Sequence, residues 1–195
     1  MLENKIYYKI TNVDENHNGF KYQDGLNVLK QKFNDNSYDH CVIGGLYFTD
    51  VEHIFEFLDY GIYVREIMLP LENPDFKMIK DGKNKYRANM FILGKKYDLD
   101  KIETFKMLIE KGANVHAGNE YALRYSIRNG NLEMVKYLIE NGADINNKKV
   151  LGTIHYVKDR HLEVVKYLIE KEANKEYIYR TIRIIDPWDA STYPI

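Results

Sequence analysis

The stretch Leu132-Glu133-Met134-Val135-Lys136-Tyr137-Leu138-Ile139-Glu140-Asn141-Gly142-Ala143-Asp144 is one of three copies of a block that recurs every 30 residues. The others are IETFKMLIEKGAN from Ile102 and LEVVKYLIEKEAN from Leu162, so that Lys106, Lys136 and Lys166 coincide, as do Leu108, Leu138 and Leu168. Within a block the apolar positions Leu132, Val135, Leu138 and Ile139 form one stripe of a helix of about two and a half turns. Gly112 and Gly142 stand just past the stripe, where a residue in the left-handed conformation ends a helix. A shorter helix precedes the block in YALRYSIRNG, from Tyr121 to Gly130. The unit is therefore helix, tight turn, helix, loop. One such pair cannot bury its apolar stripe alone, so the period predicts stacked units, with about three needed for stability.

Working outward, YALRYSIRNGNLEMVKYLIENGADI, Tyr121 to Ile145, resembles the ankyrin repeat: a helix, an x-x-N-G-x-L turn, a second helix, then N-G-A-D. The resemblance covers residues from about 100 to 175. With 21 Lys against 7 Arg, and 18 Asn, the chain looks like the lysine- and asparagine-rich ankyrin proteins of giant DNA viruses. It departs from the family in three respects. Its units are shorter than the family's length of about 33 residues. Tyr121-Ala122-Leu123-Arg124 and Leu151-Gly152-Thr153-Ile154 replace the opening Thr-Pro-Leu-His, which predicts looser helix starts. Arg160 and Glu172 replace both glycines of the third unit, which is expected to be the least regular.

The resemblance implies a non-enzymatic module that binds a protein partner through a concave face of first helices and loops. Here that face comprises Tyr121, Arg124, Tyr125, Arg128, Asn129, His155 and Lys158. Tyr and Arg are the side chains that most often carry interface energy. Tyr125 and Tyr156 have a competing role as filling between helices.

Residues 1–95 have another texture. Short β-prone runs lie at Ile6 to Ile10, Gly45 to Phe48, Ile62 to Leu69, Phe76 to Lys80 and Ala88 to Leu93, separated by turn-forming NHNG, QDG, ENPD and KDGKNK. One helix is expected after Thr49 or Asp50, with Ile54, Phe57 and Leu58 on its inner face and Gly61 as a left-handed stop. The fold class is thus α+β: a small mixed domain over 1–95, then an all-α solenoid over 96–176 in units of about 96–117, 118–147 and 148–176. The opening helix of the first unit is degenerate around Lys95 to Asp100, and 177–195 form a capping segment using Ile182, Ile185 and Trp188.

The stretch Ile43 to Gly61, IGGLYFTDVEHIFEFLDYG, is loosely similar to a segment of poly-ADP-ribosyltransferase-like domains. That second resemblance implies an NAD-dependent transferase, with Tyr47 and Tyr60 as the aromatic candidates and Glu66 as the acid. The family's first-strand histidine is missing from YYKITN. The competing reading makes Gly44-Gly45 a turn and Leu46 and Phe48 core residues. His17, His40, Cys41 and His53 match no zinc spacing, and the chain has no serine-hydrolase elbow, phosphate loop or dinucleotide fingerprint. No metal, no cofactor and no catalysis are therefore expected.

A formal net charge of −1 argues against nucleic acid as the partner. A single cysteine, an N-terminus without an apolar run and no membrane-length segment point to a cytoplasmic protein without membrane contact.

Overall fold

The structure, a computed structural model, describes residues 5–36, 43–154 and 161–171. The chain is α+β, strands first and helices after, and divides into two compact units, Met1–Asn114 and Val115–Ile195.

In the first unit β1 (Tyr7–Thr11), β6 (Tyr63–Met68), β9 (Met90–Asp98) and β4 (Gly25–Val28) make an antiparallel sheet in the order β1-β6-β9-β4. A second sheet runs β5 (Leu46–Phe48), β8 (Tyr86–Ala88), β7 (Met78–Lys80), and β2 (Asn16–His17) pairs with β3 (Phe20–Lys21) in a hairpin. An isolated bridge between Tyr8 and Thr49 joins β1 to the end of β5. The core between the sheets is aromatic: Tyr7, Tyr22, Phe48 and Phe91 are buried with Leu46, Ile67 and Leu93. Tyr7 meets Phe48 edge-on at 5.2 Å, and Tyr22 stacks on Phe91 at 5.8 Å. Such ring pairs contribute beyond the area they bury.

All five predicted β runs form strands. The hairpin β2–β3 and strand β4 lie outside those runs: each hairpin strand is two residues long, and β4 is a four-residue strand that turns Asn27 inward and leaves Leu26 and Val28 exposed. The stretch Lys95 to Asp100 is a correction: it is the end of β9 and a turn rather than a worn helix. Tyr97 there donates to Glu66 at 2.9 Å, and Lys96 lies over the Tyr63 ring, so cross-strand contacts hold this polar segment in the sheet.

The helix expected after Thr49 is a 3-10 helix, Ile54–Tyr60, and its inner residues are Ile54, Phe55 and Leu58 rather than Phe57. Asp50 accepts hydrogen bonds from the His53 backbone N–H and ring, which closes a tight turn ahead of it. Phe55 is drawn inward by stacking on Phe105 of α1 (Ile102–Glu110) at 5.2 Å and 17°. The first repeat block thus packs within the N-terminal unit, where Asn114 N–H also reaches the Glu52 carbonyl at 3.1 Å.

The second unit contains α2 (Ala117–Arg128), α3 (Leu132–Glu140), α4 (Lys148–Thr153) and α5 (Leu162–Glu170). Helix α2 packs against α3 and α4, and α3 against α5. The buried stripe is Met134, Val135 and Leu138 in α3 and Val164, Val165 and Leu168 in α5. It is rotated from the predicted stripe, whose flanking Leu132 and Ile139 are half-buried. Helices α1, α2 and α3 end on glycines at φ 102°, 67° and 96°, as predicted for Gly112 and Gly142. After α3 the N–H of Gly142 reaches the Ile139 carbonyl and that of Ala143 reaches Leu138, both at 3.0 Å. These two bonds satisfy carbonyls the helix leaves open, and they explain why Gly-Ala follows α1 and α3.

Arg160, Glu172 and the segment 177–195, on which the third-unit and capping expectations rest, lie outside the described residues.

Candidate interaction face

Helix α2 carries most of the residues expected to contact a partner, and its start is unusual. Gly118, Asn119 and Glu120 all adopt positive φ (61°, 60° and 61°), so one left-handed turn precedes the right-handed helix from Tyr121. Each such L-residue costs on the order of 1–2 kcal/mol, so the turn needs compensation. Arg124 provides it, donating from Nε to the Asn119 carbonyl at 3.0 Å and from its terminal nitrogen to the Gly118 carbonyl at 2.8 Å. His116 Nδ1 lies 2.8 Å from Oε1 of the buried Glu120 and ties the turn from the other side. The missing Thr-Pro-Leu-His is therefore replaced by a tied start, not the looser one expected.

Arg124, Tyr121 and Arg128 form one cluster. The Tyr121 ring has the Arg124 guanidinium 4.5 Å from its centroid and that of Arg128 at 5.6 Å. The spacings i, i+3 and i+7 place all three on one helical face. Tyr125 is half-buried beside them, and Asn129 is exposed at the helix end. His155 and Lys158 lie outside the described residues, as does Tyr156. Glu103, Glu133 and Glu163 are exposed, in keeping with solvated surface charges. His116, Asn119 and Glu120 escape a reading of the sequence alone; the Gly118-Asn119 pair ahead of the helix is the signal that points to them.

In the first unit Tyr47 and Tyr60 line a common cavity, whereas Glu66 does not. Glu66 accepts from the Tyr97 hydroxyl at 2.9 Å and pairs with Lys111 at 3.2 Å. The three candidates of the transferase reading therefore do not converge. His17 lines the same cavity, and His53 is held by Asp50 at 2.6 Å; His40 and Cys41 lie outside the described residues. Gly44 turns at φ 110°, as the competing reading has it, and Leu46 and Phe48 are core. Gly45 makes room for Arg87, since a β-carbon there would lie 2.8 Å from that side chain. Among the described residues no helix is long and apolar enough to cross a membrane.

Comparison with known proteins agrees with this architecture. The profile of ankyrin repeats in three copies matches residues 73–149 and 95–180. A protein of Acanthamoeba polyphaga mimivirus named for ankyrin repeats is 51% identical over 111 residues, 56% of this chain and 55% of that protein. An uncharacterized protein of the same virus is 52% identical over 106 residues, 54% of this chain and 77% of that protein. A further mimivirus protein named for ankyrin repeats is 50% identical over 103 residues, 52% of this chain and 31% of that protein. The chain thus spans about half the length of the first of these relatives and about a third of the last. No solved structure matches. Ankyrin repeats generally serve protein–protein interaction and the family is generally non-enzymatic. With its matched segments covering more than half of its length and its similar giant-virus counterparts, the chain belongs to the ankyrin repeat family.

Proposed function

We propose that the protein binds a protein partner through the α2 face, with Tyr121, Tyr125, Arg128 and Asn129 as its contacts. The cluster of Tyr121 with two guanidinium groups is the observation that carries this reading. Its ring and two guanidinium planes offer broad, partly apolar contact at small entropic cost. Arg124 has a narrower part, since it holds the left-handed turn. His155 and Lys158 are proposed as further contacts of the same partner. The proposal has the protein acting without catalysis, cofactor, nucleic acid or membrane, in the cytoplasm.

Affinity capture from amoebal lysate with the full chain, compared with a Tyr125→Ala/Arg128→Ala variant, tests it. The variant is expected to lose at least about tenfold in recovered partner, as for a pair of anchor residues, with the melting temperature nearly unchanged. Equal recovery by the two proteins refutes the face.

A further inference from the structure

Beyond the repeats, the N-terminal unit contains a cavity of about 230 Å³ assembled from β1, the β2–β3 hairpin, β5 and the 3-10 helix. Its walls are rings: Tyr22, Tyr47, Phe57 and Tyr60, with His17 6.4 Å from Tyr47 and 6.2 Å from Tyr60. A dry cavity of about 150 Å³ admits benzene, so this one has room for a single ring bearing a small polar group.

The polar groups at its floor have one character. Lys9 is 6% exposed, yet its Nζ faces no carboxylate among the described residues: it donates to the Tyr47 carbonyl at 3.0 Å, lies 3.4 Å from His17 Nδ1, and sits 4.8 Å from the centroid of the Tyr22 ring. Those contacts engage two of its hydrogens and leave the third to a ring face, a weak acceptor. Thr11, 3% exposed on the same wall, has a hydroxyl with no hydrogen-bond partner among the described residues. A second cation, Lys85, lies 5.2 Å from the Tyr47 centroid, with Asp81 3.7 Å from its Nζ. Among the described residues no Asp or Glu lines the cavity. A buried cation and an orphaned hydroxyl are each costly unless something completes them.

We propose that this cavity binds a small aromatic carboxylate, its ring between Tyr47 and Tyr60 and its carboxylate on Lys9 Nζ and Thr11 Oγ1. The anion supplies the acceptor that Lys9 lacks and takes the Thr11 hydroxyl proton in a hydrogen bond, while stacking fills the apolar volume. Charge selects the ligand: an aryl cation meets Lys9, which faces no carboxylate among the described residues, with Lys85 also lining the cavity.

Titration calorimetry on the full chain at pH 6, where Lys9 holds its proton, with benzoate, benzamide and benzylammonium tests this. Benzoate should bind saturably at millimolar concentration or below, and benzylammonium at least about tenfold more weakly. Lys9→Met keeps the volume and should cost benzoate about tenfold or more while changing benzamide affinity less than about threefold. Thr11→Val is nearly isosteric and should cost benzoate about fivefold. Failure of benzoate to saturate, benzylammonium binding as tightly as benzoate, or unchanged benzoate affinity in both variants overturns the proposal. Because none of these readouts involves the repeats, failure here leaves the α2 proposal standing.

Discussion

Gly61 adopts φ 167° and ψ −162°, extended backbone open to any residue, yet a β-carbon there would lie 2.0 Å from the Thr11 carbonyl oxygen. Its smallness rather than its left-handed freedom is what the fold uses, so the expected helix stop is a close approach of 3-10 helix to strand. Gly142 is the converse: its φ is 96°, and nothing lies within 4 Å of where a β-carbon would stand. Gly61→Ala should therefore destabilise by about 3 kcal/mol, because β1 must move. Gly142→Ala should cost about 1 kcal/mol, because only its dihedral is strained. Urea unfolding of both variants checks the ordering, and equal losses would contradict it. Lys9 makes a second residue-scale prediction. Burial lowers its ammonium from 10.5 to about 7, with His17, Tyr22, Tyr47 and Lys85 around it. Between those pH values the unfolded chain holds the proton that the folded chain has released, so stability climbs as pH rises. His17, lowered to about 4 by burial and then by the Lys9 charge, adds a climb of the same sign between about 4 and 6.5. From pH 7 to 9 the wild type should gain about 2 kcal/mol and Lys9→Met much less. Parallel pH profiles for the two would refute a buried, weakened Lys9 base.

At the scale of elements, the repeat blocks are legible in the sequence because three signals agree: apolar period, glycine stop and the alanine after it. That alanine and the leucine four residues before the glycine are both buried, Leu108 with Ala113 and Leu138 with Ala143, as the two-bond helix end requires. Helix starts differ more. Asn131 accepts from the Met134 N–H at 3.1 Å, whereas Lys101 ahead of α1 makes no such side-chain cap. Asn131→Ala should thus lower stability by about 1 kcal/mol in thermal unfolding, and Lys101→Ala should leave it nearly unchanged. The strands of the first unit can be read where residues alternate or run apolar, as at Tyr7–Thr11 and Tyr63–Met68. Asn16–His17, Phe20–Lys21 and the polar end of β9 escape such a reading because their strand character comes from their pairing partners. The 3-10 helix looks like a regular one in the sequence for a related reason: Asp50 and Phe105, one local and one remote, decide its pitch and inner face.

For the whole molecule, the sequence speaks clearly about the family and faintly about sites. Tyr121, Arg124 and Arg128 can be placed on one face from spacing alone, but the commitment of Arg124 to the turn carbonyls depends on three residues with positive φ that no spacing rule reveals. The cavity of the first unit is less legible still. Lys9, Thr11, His17, Tyr47 and Tyr60 come from four segments, and only the lysine inside IYYKI hints at a buried charge. The central claim is that this ankyrin protein meets its partner on α2. Hydrogen–deuterium exchange on the full chain, alone and with the captured partner bound, tests it most directly. The expected result is slowed exchange across 121–131, at the helix and the turn that ends it. Slowed exchange confined to the strands of the first unit, with α2 unchanged, would contradict it.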